Sequence, residues 1–355
     1  MSDLYFDDQK IKRCSNVYNK LNINSSIKKI IIVYSLPKVG STSLITSLRI
    51  FGSHSFNLIH VHDENMLEHL LNEKEILITD FIDYLSILDH NVFVIDIYRS
   101  PIERKISDFF EKISLHLNTA EGNIGKHKID SLIERFQKIY NNIPNLDPLI
   151  HKYNIELGNN FDFDKKYNLF TKNNIKYISL RLKDSKKWGE ILSQIFQQKI
   201  MIVSDYETNN KVIKKIYNEF KKKYLIPENY LENLNNDPDF NYYYNDDEKK
   251  EYISNWQQKT TIEFIGYTPE EYKLYISIVC SNNLEDKIKS LHYKDEGCLC
   301  VACVKLRSYV QTLILQNKYS NQRIHHNEAV EKYLIQKTKL MNRFYKKPFR
   351  KMQIF

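Results

Sequence analysis

The chain alternates between short apolar runs and stretches whose apolar residues recur at helical spacing. Runs of this length are too short for helices and are typical of parallel strands covered on both faces. The runs are residues 30–34, 57–61, 92–98 and 177–182. Helical spacing follows them over residues 41–51, 66–71, 102–113 and 188–196. Strands that alternate with helices predict an α/β fold, a three-layer, P-loop-like parallel sheet flanked by helices.

The remaining segments divide the chain into three parts. Residues 200–203 are predicted to form a short strand or edge, and residues 212–224 and 247–256 to form helices. The Tyr- and Asn-rich residues 229–245 are predicted to be an irregular surface excursion. We expect an N-terminal helix and arm (1–27), an α/β domain (28–275) and a basic, mainly helical extension (276–355).

Composition narrows the class of protein. With 355 residues, 42% hydrophobic residues, 8 Gly and 8 Pro, the chain is neither disordered nor collagen-like. The start has no secretory signal, and the apolar runs fall far short of the roughly 20 residues of a membrane helix. We therefore expect a cytoplasmic protein without a membrane span.

The net charge of +8 is unevenly distributed. Residues 276–355 hold 15 Lys and Arg against 6 Asp and Glu, which leaves a net charge of −1 for the rest. Because the whole chain is rich in Lys, Asn, Ile and Tyr, this basicity is weak evidence for a nucleic-acid partner. The sequence does not indicate an oligomeric state.

A loop between the first predicted strand and its helix has the composition of an anion site. Its residues are Pro37, Lys38, Val39, Gly40, Ser41, Thr42 and Ser43. The first N–H groups of a helix and its dipole favour a phosphate, and glycine permits close approach of the backbone. Lys38 would supply a positive charge, and the hydroxyl groups would supply donors. The alternative interpretation is an ordinary helix cap.

The order of residues distinguishes this loop from that of nucleotide triphosphatases. In those proteins Lys follows the second Gly of G-x-x-x-x-G-K-[ST], whereas Lys38 precedes Gly40. The order resembles the 5′-phosphosulfate loop of sulfotransferases, commonly P-K-[ST]-G-[ST]-[ST]. Val39 departs from that pattern and removes one hydroxyl donor.

A second element follows the third predicted strand. Ser100, Pro101 and Glu103 predict a helix start directly after Arg99, and Ser107 lies eight residues beyond Arg99. An Arg and a Ser at this separation resemble the 3′-phosphate element of sulfotransferases. Residues 99–110 are similar to a stretch of the capsular polysaccharide synthesis proteins of that superfamily, with Ser100 in place of Asp. The resemblance spans roughly residues 28–260.

The resemblance implies a transferase that uses 3′-phosphoadenosine 5′-phosphosulfate (PAPS) and a carbohydrate acceptor. Lys38 would stabilise the departing phosphate, residues 37–43 would hold the 5′-phosphate, and Arg99 with Ser107 the 3′-phosphate. His60, His62 and Glu64 are the alternatives for the general base. No metal is implied. A P-loop kinase that uses ATP, or a non-catalytic protein that binds a nucleotide or a nucleic acid, stays as an alternative function.

A cysteine cluster lies in the C-terminal extension. Cys298, Cys300 and Cys303 follow His292, and thiolates with one imidazole suit zinc. Only Cys300 and Cys303 have an ordinary ligand spacing. The pattern therefore favours small buried residues, with a zinc site as the less favoured alternative.

Overall fold

The computed structural model describes residues 7–52, 55–71, 73, 75–116, 124, 127–140, 161–203, 213–257, 260–261, 266–268 and 270–271. The helices are α1 (Asp8–Lys20), α2 (Ser41–Gly52), α3 (Glu64–Leu71), α4 (Ile78–Ile87), α5 (Pro101–Glu111), α6 (Ile113–His116), α7 (Ile129–Tyr140), α8 (Trp188–Phe196), α9 (Lys214–Lys223), α10 (Glu228–Asn235), α11 (Pro238–Tyr243) and α12 (Asp246–Gln257). The strands are β1 (Lys29–Tyr34), β2 (Asn57–Val61), β3 (Asn91–Tyr98), β4 (Tyr167–Lys172), β5 (Ile175–Arg181), β6 (Ile226–Pro227) and β7 (Thr260–Thr261). A 3₁₀ helix, Leu182–Lys187, joins β5 to α8.

Five strands form the central sheet in the order β2-β1-β3-β5-β4. Strands β2, β1, β3 and β5 are parallel, and in β1 Val33 lies opposite His60 of β2 and Ile95 of β3. The expected α/β fold is confirmed as a mostly parallel sheet flanked by helices. The sheet departs from expectation at one edge, where β4 pairs antiparallel with β5.

Both faces of the sheet are buried, which explains the continuous apolar runs in the sequence. One face packs on α2 and α8, and the cluster contains Ile31, Val33, Phe93, Ile95, Leu44, Leu48, Trp188 and Leu192. The alternate residues Ile30 and Ile32 are equally buried although they face the other way. Helix α4 packs against β3 and β5.

Two sequence predictions are wrong. Residues 229–245 form α10 and α11 with their connections, and Phe240 and Tyr243 are fully buried. Tyr243 of this segment packs on the sheet, where it stacks on Tyr98 of β3 with ring centroids 4.3 Å apart. Residues 200–203 are not a strand, because the Val203 N–H donates to the Ser47 hydroxyl of α2 instead of to a neighbouring strand.

The described residues divide into two compact units. The first comprises the described parts of 1–104, 145–206 and 229–258 and holds the whole five-stranded sheet. The second comprises those of 105–144, 207–228 and the chain after 258, and its core is aromatic. There Phe136 packs edge-to-face on Phe109 and on Phe220, each with ring centroids 5.4 Å apart. Burial lowers the pKa of His116, stacked on Phe109, to about 4.

Among the described helices, none combines the length and the apolar character that a membrane span requires. Residues 276–355, with the cysteine cluster and the basic C-terminus, lie outside the described residues.

Candidate functional site

Apart from Ser107, the candidate residues lie in the first unit, at or just beyond the carboxyl ends of β1, β2 and β3. The carboxyl ends of parallel strands lie at the same edge, and ligands of open α/β sheets bind there. Strand β1 leads into the turn at 35–40, β2 into His62, and β3 into Arg99. Since β1 lies between β2 and β3 in the sheet, the turn has a histidine on one side and an arginine on the other.

The turn adopts a conformation that collects backbone N–H groups. Both Lys38 (φ 69°) and Gly40 (φ 90°) have positive φ, and left-handed residues in a tight turn build the concavities that bind anions. Gly40 also packs closely, because an added Cβ would lie 2.6 Å from Leu182 Cδ1 and 3.5 Å from Trp188 Cη2. The backbone angle therefore favours glycine here, and a larger residue would also displace the Leu182 side chain.

Helix α2 begins at Ser41 and directs its first N–H groups towards this turn. The Leu44 N–H donates to the Gly40 carbonyl (3.4 Å), which leaves the earlier N–H groups outside the helical ladder. Thr42 and Ser43 are half-buried, and Ser41 is buried (4% exposed). An anion at this position would meet the helix N-terminus, as the sequence predicts.

Val39 contributes to this site only through its backbone. Its side chain is fully buried (0% exposed) in the cluster between the sheet, α2 and α8. The departure from the hydroxyl residue of the sulfotransferase pattern therefore anchors the turn to the core. Because the Val39 side chain is buried, only its main-chain N–H group could contact a cofactor.

Arg99 contacts the turn directly. Its Nη1 donates to the Lys38 carbonyl oxygen at 2.8 Å, although 61 residues separate the two in sequence. The end of β3 and the start of α5 hold Arg99 in place, since the Ser100 carbonyl accepts from the Arg104 N–H (3.0 Å) and the Ser100 hydroxyl donates to Glu103. Ser107 lies in the second turn of α5, half-buried, in the second unit.

The two histidines are neighbours in different environments. Their ring centroids lie 4.6 Å apart at an interplanar angle of 80°. His60 lies within β2, 6% exposed, and its Nε2 is buried. His62 is half-buried beyond the strand, and its Nδ1 lies 2.6 Å from the Ser35 carbonyl oxygen. Because a carbonyl only accepts, Nδ1 carries the proton and the neutral ring has its lone pair on Nε2.

Glu64, the first residue of α3, is half-buried and hydrogen-bonded. Its Oε1 accepts from the Tyr34 hydroxyl at 3.2 Å. Burial, followed by the charge of Glu64, raises the pKa of Tyr34 far above its usual range. Tyr34 therefore stays a neutral donor that orients the carboxylate.

A cleft of about 350 Å³ opens beside Arg99, between the ends of β3 and β5 and helix α12. Aromatic and basic side chains supply much of its lining, among them Tyr98, Arg99, Arg181, Lys183, Tyr244 and Tyr252. Lys183 pairs with Glu248 at 2.8 Å, and Tyr252 donates to Glu103 at 2.5 Å. The cleft thus offers aromatic surfaces next to Arg99, while the carboxylates of Glu103, Glu248 and Glu251 in its lining balance the basic side chains.

Arg181 at the base of this cleft was not predicted from the sequence. Only 1% of its side chain is exposed, and it pairs with Asp184 (2.5 Å) and Glu248 (2.6 Å) and donates to the Tyr243 carbonyl (2.7 Å). It thereby ties β5 to α11 and α12. The signal that could have identified it is its place at the end of a predicted strand, as for Arg99.

No protein-family model, curated protein or solved structure matches the chain. Within the described part of the chain, no group of three or more His, Cys, Asp or Glu side chains is placed to hold a metal ion. The zinc alternative concerns Cys298, Cys300 and Cys303, which the described residues do not include.

Proposed function

We propose that this protein is a sulfotransferase that moves a sulfuryl group from PAPS to an acceptor hydroxyl. The observation that carries the proposal is the 2.8 Å contact between Arg99 and the Lys38 carbonyl, together with the positive φ angles of the turn. It supports a P-loop-like site in which a 5′-phosphate element and a 3′-phosphate element adjoin. One nucleotide with phosphates at both positions fits that arrangement.

In the proposed complex, the N–H groups of the turn and of the start of α2 bind the 5′-phosphosulfate. The hydroxyls of Ser41, Thr42 and Ser43 add donors, and the Lys38 ammonium meets the oxygen that bridges sulfur and phosphorus.

Arg99 binds the 3′-phosphate, because a guanidinium has five N–H donors and the Lys38 carbonyl occupies one. Pro37 and the Val39 N–H complete the turn, and the nucleoside extends towards the cleft at α12. Ser107 stays a candidate 3′-phosphate ligand by resemblance.

His62 is the general base of this proposal, with Glu64 as the runner-up. His60 is less suited because its Nε2 is buried within β2. The acceptor oxygen forms a bond to sulfur while the bond between sulfur and the bridging phosphate oxygen breaks. The acceptor proton passes to His62 Nε2, and the electron pair remains on the phosphate, where Lys38 stabilises it. The products are a sulfate ester and adenosine 3′,5′-bisphosphate.

A carbohydrate acceptor is part of the proposal through the resemblance to the capsular polysaccharide synthesis proteins. Its hydroxyl must approach from the β2 side of the turn, where His62 lies. The nucleoside lies towards β5 on the other side. Donor and acceptor thus reach the sulfur atom from opposite flanks of β1, as an in-line transfer requires.

Isothermal titration calorimetry tests the proposal. We expect adenosine 3′,5′-bisphosphate to bind equally well in EDTA and in magnesium, since backbone and side-chain donors meet its charge. The Lys38→Ala variant should bind the bisphosphate more weakly, and Lys176→Ala, at the start of β5, is the control. Binding of ATP only with magnesium, without binding of the bisphosphate, would favour the kinase. Salt-dependent nucleic-acid binding that survives Lys38→Ala would favour the non-catalytic alternative.

A further inference from the structure

We propose that Arg99 positions the phosphate-binding turn in addition to binding a 3′-phosphate, so that it contributes to the affinity for nucleotides that lack one. This inference rests on the proposed function. The resemblance assigns Arg99 to the 3′-phosphate alone. In the structure, its Nη1 instead contacts the main chain of the turn that meets the 5′ end.

The contact determines the orientation of one peptide group. In a planar trans peptide the C=O and N–H vectors point in opposite directions. With the Lys38 carbonyl bound to Arg99, the N–H of Val39 points away from the guanidinium. A flip of this peptide would replace that donor by a carbonyl oxygen, which repels an anion. Arg99 therefore preserves the donor side of the turn.

The turn needs such a restraint because Lys38 adopts an unfavourable conformation. Its φ of 69° lies in the left-handed region, which residues other than glycine rarely occupy. Val39, buried in the core, fixes the turn on the following side. Arg99 fixes the carbonyl of the strained residue itself through a charge-assisted hydrogen bond. These contacts hold the turn preorganised before a ligand binds.

Arg99 is itself held by packed structure, which makes it suitable as a restraint. It follows β3, whose last residue Tyr98 is buried against Tyr243, and it precedes α5, whose first turn is closed by Ser100 and Glu103. The main chain of Arg99 is thus anchored by the sheet on one side and by the helix on the other. A flexible surface arginine would not restrain a loop in this way.

Two ligands separate the two roles of Arg99. Adenosine 3′,5′-bisphosphate requires both, whereas adenosine 5′-phosphosulfate has no 3′-phosphate and requires only the ordered turn. We expect Arg99→Ala to weaken the 5′-phosphosulfate about tenfold and the bisphosphate by a larger factor, as loss of a hydrogen bond to a charged group implies. Arg99→Lys keeps a cationic N–H donor of nearly the same reach for the Lys38 carbonyl, and we expect it to retain most of the affinity for the 5′-phosphosulfate.

Calorimetric titrations of both ligands into the full chain decide the question. Arg13→Ala is the control for loss of an arginine, since Arg13 of α1 pairs with Glu75 at 3.1 Å and not with the turn. Thermal unfolding of each variant shows that it is folded. If Arg99→Ala weakens only the bisphosphate, or if Arg99→Lys binds the 5′-phosphosulfate no better than Arg99→Ala, the positioning role is wrong. Failure of both ligands to bind the wild type would instead contradict the proposed function.

Discussion

Replacement of Gly40 by Ala tests the close fit of the turn at residues 35–40. The backbone at this residue has a φ of 90°, where a Cβ costs about 1–2 kcal/mol. The added Cβ would also lie 2.6 Å from Leu182 Cδ1. Because that atom ends a flexible side chain, its displacement adds only about 1 kcal/mol, at the low end for overpacking. We expect a total loss of stability of about 2–3 kcal/mol.

A double-mutant cycle with Leu182→Ala separates the two contributions. Leu182→Ala removes the atom that the new Cβ would strike, while the φ of residue 40 is unaffected. In this background we expect Gly40→Ala to cost only the backbone part, about 1–2 kcal/mol. The coupling between the two sites should thus be favourable and about 1 kcal/mol.

Urea unfolding of the wild type, both single variants and the double variant measures the cycle. Titration of adenosine 3′,5′-bisphosphate into the same proteins reports whether the turn still forms. If the destabilisation of the double variant equals the sum of the two single variants, Leu182 does not limit the space at Gly40. A Gly40→Ala variant as stable as the wild type would refute the assignment of a strained, glycine-dependent turn.

Three further variants test the chemistry and the electrostatics. Lys38→Ala should lower kcat by at least about 100-fold in a steady-state sulfuryl-transfer assay, because the proposal assigns the charge on the leaving phosphate to the Lys38 ammonium; an unchanged kcat would remove Lys38 from the mechanism. His62→Gln should lower kcat/KM by about 100-fold and abolish its fall at acidic pH, whereas His60→Gln should retain that fall, and the reverse pattern would make His60 the base. Burial, followed by the charge of Asp80, raises the pKa of Asp83 from 3.8 to about 6, so the folded state loses stability as pH rises from about 4 to 6. Asp83→Asn should therefore raise the free energy of unfolding at pH 8 by about 1–2 kcal/mol, less than the full shift because solvent screens this partly exposed carboxyl, and change it little at pH 4 in urea titrations; an equal effect at both pH values would contradict this account.

The sequence is most informative where one local rule decides the structure. Strand β2 and helix α8 have the predicted boundaries, because a short apolar run and a helical apolar stripe each have one simple solution. The start of α5 follows from Ser100, Pro101 and Glu103 in the same way. Local patterns of this kind predict where β1, β2 and β3 end, and hence the residues near the candidate site.

The sequence is least informative where tertiary packing overrides composition. The Tyr-rich residues 229–245 have the composition of a surface loop, yet Tyr243 stacks on Tyr98 and is fully buried. The contact of Arg99 with the Lys38 carbonyl joins residues 61 positions apart, and no spacing rule specifies it. Strand β4 shows the same limit, since only its pairing with β5 sets its antiparallel direction.

The most direct test of the central claim is transfer of the radiolabelled sulfuryl group of PAPS to a panel of polysaccharides, with release of adenosine 3′,5′-bisphosphate measured in the same reactions. The account predicts that the wild type labels at least one polysaccharide in EDTA and releases one bisphosphate per sulfate transferred. Lys38→Ala, at equal concentration, should do neither. Binding of the bisphosphate by the wild type without any transfer, or transfer that is unchanged in Lys38→Ala, would contradict it.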